Sequence, residues 1–179
     1  MKFESRDIHV HTLGPTGTNC EAAAHYWLER RGVEEHHVTL HPTLEDAAEA
    51  VIGTSSPHVL LGCVVYPGLH HLVFKNLKDL ALLECFVMPT HAMVVAGDMR
   101  SQRPRVATHP APINLLDEWD PEIVLVDSNA EAALTCSQGA TDACVTTSAA
   151  AASAGLPVVK DFGPVPMGFS IHAPHGFEA

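Results

Sequence analysis

The sequence predicts an α/β fold, and three observations carry that prediction. Apolar runs of strand length alternate with alanine-rich stretches of helical length, the order produced when strands are joined by helical crossovers. The pattern Ser/Thr-x-x-Asp/Glu recurs at Thr18 to Glu21, Thr43 to Asp46 and Ser128 to Glu131, where it marks a helix start. Glycines stand where helical patterns stop, at Gly32, Gly53 and Gly155, as helix ends favour.

Taken in order, Ile8 to Leu13 reads as a first strand and Asn19 to Arg31 as a helix whose apolar side includes Ala23, Tyr26 and Trp27. Leu44 to Ile52 is a second helix, and Val59 to Val65 a buried strand. Phe86 to Ala96 is a long extended run interrupted by Pro89, and the polar stretch Gly97 to Pro104 is a loop. Then come the strand Arg105 to Thr108, a helix through Leu115 and Trp119, the strand Ile123 to Val126 and the helix Asn129 to Ser137. The strand Ala143 to Val145, the helix Thr147 to Ala154 and a last strand around Phe169 to His172 complete the reading. Strands linked in this way are expected to be parallel.

The chain has 179 residues, 46% of them hydrophobic, enough for one compact domain or two small lobes. Ten Lys and Arg against 21 Asp and Glu give a formal charge of -11, which supplies no electrostatic footprint for nucleic acid. Five cysteines without a Cys-x-x-Cys pair fit reduced thiols and a cytoplasmic protein. No signal peptide or membrane-spanning run is expected. Phe3, Trp27, Trp119 and Phe162 read as core or interface, and Glu34, Glu35, Glu45 and Glu49 as a solvated face.

In an α/β sheet, ligands bind at the turns that follow strands. Four such turns, Thr12 to Asn19, Thr108 to Asn114, Ser128-Asn129 and Thr146-Thr147, offer helix N-termini that could jointly hold a carboxylate without Lys or Arg. No metal is expected: His37-x-x-x-His41, His70-His71 and His9-x-His11 are the close histidine groupings, none with a Cys or carboxylate at a recognised spacing. No Gly-x-Ser-x-Gly elbow, P-loop ending or Gly-x-Gly-x-x-Gly occurs, so hydrolysis and nucleotide binding are not expected.

The segment Leu13-Gly14-Pro15-Thr16-Gly17-Thr18 with Glu21 resembles the opening motif of prephenate dehydratases. His109-Pro110 and Ser128-Asn129-Ala130-Glu131-Ala132-Ala133 resemble that family's Ser-His-Pro and Ser-Thr-x-x-Ala-Ala segments, and the likeness runs from about residue 8 to residue 173. It implies two α/β lobes of the type 2 periplasmic-binding-protein kind, with the substrate in the cleft. The lobes would be 1–90 with 163–179, and 91–162. A homodimer is implied, and neither a regulatory domain nor feedback control by phenylalanine is expected. Two departures bear on activity. Met167-Gly168-Phe169 stands where dehydratases have Thr-Arg-Phe, and Val64-Val65-Tyr66-Pro67-Gly68 where they have Pro-Ile-Glu-Asn-Ser.

These departures resemble non-aromatising prephenate decarboxylases of the bacilysin-type pathway. The carrying residues are Thr12 to Thr18, Tyr66-Pro67-Gly68 with His71, His109 to Leu115, and Pro166-Met167-Gly168-Phe169-Ser170. The resemblance implies loss of the ring carboxylate as CO2 with the hydroxyl kept, no cofactor, and a natural-product role. Thr16, Thr18, Asn114, Ser128 and Asn129 are expected to anchor the pyruvyl group, with Met167 and Phe169 lining the ring pocket. Thr12, Gly14, Gly17, Thr146 and Ser170 complete the expected substrate site. His71, His109 and Tyr66 are candidate proton donors, as is a Thr-held water, and His91 reads as a hinge residue. A dehydratase and a non-catalytic carboxylate-binding protein are the alternatives.

Overall fold

The computed structural model describes residues 8–33, 35, 37–54 and 57–177. Phe3 and Glu34 lie outside the described residues. The chain divides into two compact units, Met1–Pro89 with Pro166–Ala179, and Thr90–Val165.

In the first unit, β1 (His9–Leu13) runs parallel to β2 (His37–His41) on one side and β3 (His58–Cys63) on the other. Val10, Val59 and Leu61 point to one face, where α1 (Asn19–Arg30) covers them. The Thr18 hydroxyl caps α1 by accepting from the Glu21 amide at 3.5 Å. Ala23, Ala24, Trp27 and Leu28 form its buried stripe, the spacing an amphipathic helix requires. Leu13 and Leu60 point to the other face, where α2 (Leu44–Val51) and α3 (Leu69–Lys75) pack. The indole N–H of the fully buried Trp27 donates to Glu84 at 2.9 Å, and Arg31 donates to the same oxygen. These bonds, the indole's first, hold the Glu84 carboxyl below its ordinary pKa against its partial burial.

Two long strands, β4 (Leu80–Gly97) and β8 (Val158–Pro174), each contribute to both units. In the first unit β8 pairs antiparallel with β3, setting Phe169 opposite Cys63 and Ser170 opposite Gly62. In the second, β4 pairs antiparallel with β7 (Ala143–Thr147), while β5 (Arg105–Thr108) runs parallel to β6 (Glu122–Leu125) and β7. Val94, Ala96, Ala107 and Cys144 face α4 (Asn129–Ser137) and α5 (Ser148–Ser153) across a layer of alanines. Met93, Val95, Val106 and Val145 face Leu116 and Trp119.

The expectation of parallel strands is therefore corrected in part: each unit also contains an antiparallel pairing, β3 with β8 in the first and β4 with β7 in the second. Strand direction is set by which connection leads into it, and local periodicity carries no trace of that. The helix expected through Leu115 and Trp119 is a single 3-10 turn, Ile113–Leu116, because Pro110 and Pro112 remove two backbone donors and restrict the residues before them. Pro89 does not interrupt β4, which continues through it. Among the described residues no helix is long and apolar enough to cross a membrane.

Candidate active site

The expected residues of the first unit begin in the turn after β1. Thr12 is fully buried, and its hydroxyl donates to the Leu61 carbonyl at 2.9 Å. This ties β1 to β3 and leaves Thr12 no open surface. The Gly14–Pro15 peptide is cis, and the Gly14 amide donates to the His41 carbonyl at 2.8 Å. Thr16 and Gly17 are exposed, and Gly17 has φ +85°, a conformation that glycine adopts freely. The Gly17 amide donates to the Glu21 carboxylate at 2.6 Å.

The same device recurs in the second unit. Ser128 accepts from the Glu131 amide at 3.1 Å, and the Glu131 carboxylate accepts from the Asp127 amide at 2.9 Å. Each acid reaches the residue before the cap, so α1 and α4 meet their N-terminal partial charge with a carboxylate of their own. At both helix starts the amide before the cap is thus already engaged by an acid of the helix itself.

Tyr66 donates from its hydroxyl to Glu45 at 2.9 Å. Burial first, and then this carboxylate, raises the Tyr66 pKa. A Cβ at Gly68 would stand 3.0 Å from the Tyr66 ring and 3.2 Å from Glu45, so the glycine admits the pair. Glu45 was expected on a solvated face; it is half-buried and holds Tyr66, because strand-to-helix packing brings together residues distant in sequence. His71 is exposed on α3, its ring centroid 4.1 Å from that of His70.

On β8, Met167 is half-buried against the core of the first unit. Phe169 has no exposed surface and packs with its centroid 5.7 Å from that of Phe86. The structure thus gives Phe169 to the core rather than to an open wall. Ser170 is buried, with its hydroxyl 3.4 Å from the Gly62 carbonyl and 3.0 Å from His172 Nε2. The two departures from the dehydratase pattern touch: the Val64 amide donates to the Gly168 carbonyl at 3.0 Å, and a Cβ at Gly168 would stand 2.9 Å from a Val64 methyl. They form one packed feature, which sequence spacing could not reveal.

Burial also lowers the pKa of His172. The unfolded chain then takes a proton at this residue before the folded one does. Its contribution to stability is complete above the ordinary histidine pKa and is lost as pH falls below it, at no more than about 1.4 kcal/mol per pH unit. The urea midpoint is expected to drop between pH 7 and pH 5, and to drop less in His172→Gln; equal drops would contradict the assignment.

In the second unit, the Thr108 hydroxyl donates to the His109 carbonyl at 2.9 Å. The half-buried His109 accepts from the Ala111 amide on Nδ1 at 3.1 Å, which puts its proton on Nε2. Burial lowers the His109 pKa, opposed by the charge of Asp127. Asn114 is exposed on the 3-10 turn. The fully buried Thr146 donates to the Asn129 carbonyl at 2.6 Å, positioning the start of α4. Asn129 Oδ1 is buried without a hydrogen-bond partner. His109, Asp127, Ser128 and Asn129 therefore mark the strand-end side of this unit. Asp127 escaped the sequence reading, since nothing in its local context distinguishes it from a surface acid.

A concavity of about 710 Å³ in the second unit is lined by Met99, Trp119, Cys136, Leu156 and Pro157 among others. It lies at the opposite strand ends, and none of the expected site residues lines it. Burial pushes the Cys20 thiol up to about 12 and raises Cys63, Cys136 and Cys144.

No protein-family model matches the chain. It is 30% identical to prephenate decarboxylase of Bacillus subtilis (strain 168), over 93% of this chain and 87% of that protein. Prephenate decarboxylase of Bacillus amyloliquefaciens is 29% identical over the same shares. Among solved structures, a prephenate dehydratase from Staphylococcus aureus subsp. aureus Mu50 superposes with a TM-score of 0.64 at 12% identity, covering 92% of this chain and 66% of that one. A periplasmic substrate-binding protein of an ABC transporter from Coxiella burnetii superposes at 0.53 with 15% identity, over 93% and 84% of the two chains. The fold is thus the mixed α/β fold shared by prephenate dehydratase and type 2 periplasmic binding proteins, and on its sequence the chain belongs to the prephenate decarboxylase family.

Proposed function

We propose that this chain removes the ring carboxylate of prephenate as CO2 without aromatising the ring, giving a dihydro-4-hydroxyphenylpyruvate. The observation that carries the reading is the 30% identity to a prephenate decarboxylase over 93% of the chain. Met167-Gly168 in place of a Thr-Arg pair supports retention of the hydroxyl, since no hydroxyl or guanidinium stands there to help hydroxide leave. The reading includes a cytoplasmic homodimer in a route to a non-proteinogenic amino acid.

The electrons of the breaking carbon–carboxylate bond move into the ring diene, and one proton is added at a ring carbon. The ring is its own electron acceptor, so the step needs no cofactor. What the protein supplies is orientation, exclusion of water from the departing carboxylate, and the proton. In this proposal His109 takes up a second proton, releasing the Ala111 amide from Nδ1, and as the imidazolium, which Asp127 favours, delivers one proton to the ring from Nε2 and returns to the neutral form. Asn129 and Ser128 hold the pyruvyl carboxylate and carbonyl, aided by Asn114, and Thr146 positions Asn129. Within the first unit, Thr16 and Thr18 carry hydroxyls in the turn after β1, and Met167 is a half-buried apolar side chain. Tyr66 and His71 are the other proton-donor candidates. Tyr66, already donating to Glu45, is the weaker acid.

Asn129→Ala is expected to lower kcat/KM for prephenate by about tenfold or more, the cost of one hydrogen bond to a charged substrate. Far-ultraviolet circular dichroism is expected to stay native, because the Thr146 bond uses the Asn129 backbone. Full activity in a folded Asn129→Ala variant would remove Asn129 from the site.

A further inference from the structure

Strand pairing assembles a histidine cluster in the first unit. His9 and His11 lie two apart on β1 and so project from the same face of the sheet. His37 on β2 and His58 on β3 are both in register with His9, so their side chains join that face. His11 Nε2 is 2.8 Å from His58 Nδ1. The ligand nitrogens of His9, His11 and His58 all lie within 4.8 Å of one another.

We propose that His9, His11 and His58 form a binding site for one borderline-soft divalent cation, with Zn²⁺ as its simplest occupant. Three imidazoles on adjacent strands, without a thiolate or carboxylate among them, are the donor set that zinc, nickel and copper accept and magnesium and calcium do not. Zinc–nitrogen bonds of about 2.0–2.1 Å place tetrahedral ligand nitrogens roughly 3.3 Å apart. The His11–His58 pair would open slightly and the farther nitrogens would draw in, both within reach of side-chain rotation.

The second observation is the outer contacts. His11 Nδ1 lies 2.9 Å from His41 Nε2, and His9 Nε2 lies 2.7 Å from the Thr39 hydroxyl. A ligating histidine ordinarily has its other ring nitrogen held by a polar partner, which fixes the ring. His11, which meets His58 through Nε2, has that partner in place on β2, and His9 has it when Nδ1 is its ligand atom. Burial of His11 to 6% exposure fixes its ring further, while the half-buried His9 and His58 leave a way in. Filling the site requires each of the three rings to carry its proton on the nitrogen turned away from the ion, a choice of tautomer with no change of charge. The ion would clamp β1 to β3 and leave the fourth coordination position to water or to another histidine.

The test is equilibrium dialysis of the chelator-treated, untagged chain against Zn²⁺, with thermal unfolding followed in parallel. One ion retained per chain and a raised Tm are expected. His58→Gln and His11→Gln are each expected to weaken Zn²⁺ binding by at least tenfold, while His175→Gln, away from the cluster, leaves it unchanged. His58 is the accessible ligand, so its variant keeps the test open if His11→Gln fails to fold. No ion retained, or equal retention in a natively folded His58→Gln, would overturn the proposal.

Discussion

Gly97→Ala is expected to destabilise the second unit by about 3 kcal/mol or more, from two additive causes. Gly97 has φ +111°, where an L side chain costs about 1–3 kcal/mol. A Cβ there would also stand 2.6 Å from the Asp142 carbonyl oxygen and 2.7 Å from Ala143 Cα. Both atoms are backbone at the start of β7, the partner of β4 in register with Gly97, so neither can move without disturbing the ladder. Overpacking of that kind adds about 1–3 kcal/mol. Gly139 separates the two causes, since it has φ +74° and a Cβ placed on it would meet no atom within 4 Å. Gly139→Ala should therefore cost the strain alone. Urea unfolding of the two variants is expected to show the larger loss at Gly97, and equal losses would mean that the β4–β7 contact is not as close as described.

Phe169→Ala is expected to cost about 3–5 kcal/mol, the range for deleting a fully buried aromatic side chain. Its ring is 0% exposed and fills the layer between β8, Phe86 and the α1 stripe. Phe169→Leu keeps most of the volume and is expected to cost under about 1.5 kcal/mol. The same pair tests its role in turnover. A core residue predicts that Phe169→Leu retains wild-type KM for prephenate, whereas a residue touching the ring predicts a several-fold rise.

Legibility in the sequence followed the range of the interactions. The β5 strand and the α4 helix were readable because each carries its own signal, an apolar run or a capping pair, within a few residues. Thr18, Thr43 and Ser128 were legible as caps for the same reason. β2 escaped because His37-Val38-Thr39-Leu40-His41 has only two apolar residues on its inner face. α3 escaped because it begins at Gly68 with no side-chain cap. The length of β8 was hidden by Gly163, Pro164 and Pro166, which read as breakers but are accommodated in an extended strand.

At the candidate site, local context named polar residues but could not say where their hydroxyls point. Thr12 and Thr146 spend theirs on backbone carbonyls 49 and 17 residues away along the chain. The Tyr66–Glu45 bond, the Val64–Gly168 contact and the histidine cluster are all products of strand pairing and helix packing. No spacing rule along the chain reaches them.

The central claim, decarboxylation without aromatisation, is tested most directly by mass analysis of the product after incubating the purified chain with prephenate at neutral pH beside a protein-free control. The expected product is lighter than prephenate by CO2 alone and retains the ring hydroxyl. Phenylpyruvate above the control, or prephenate left unchanged, would contradict the account.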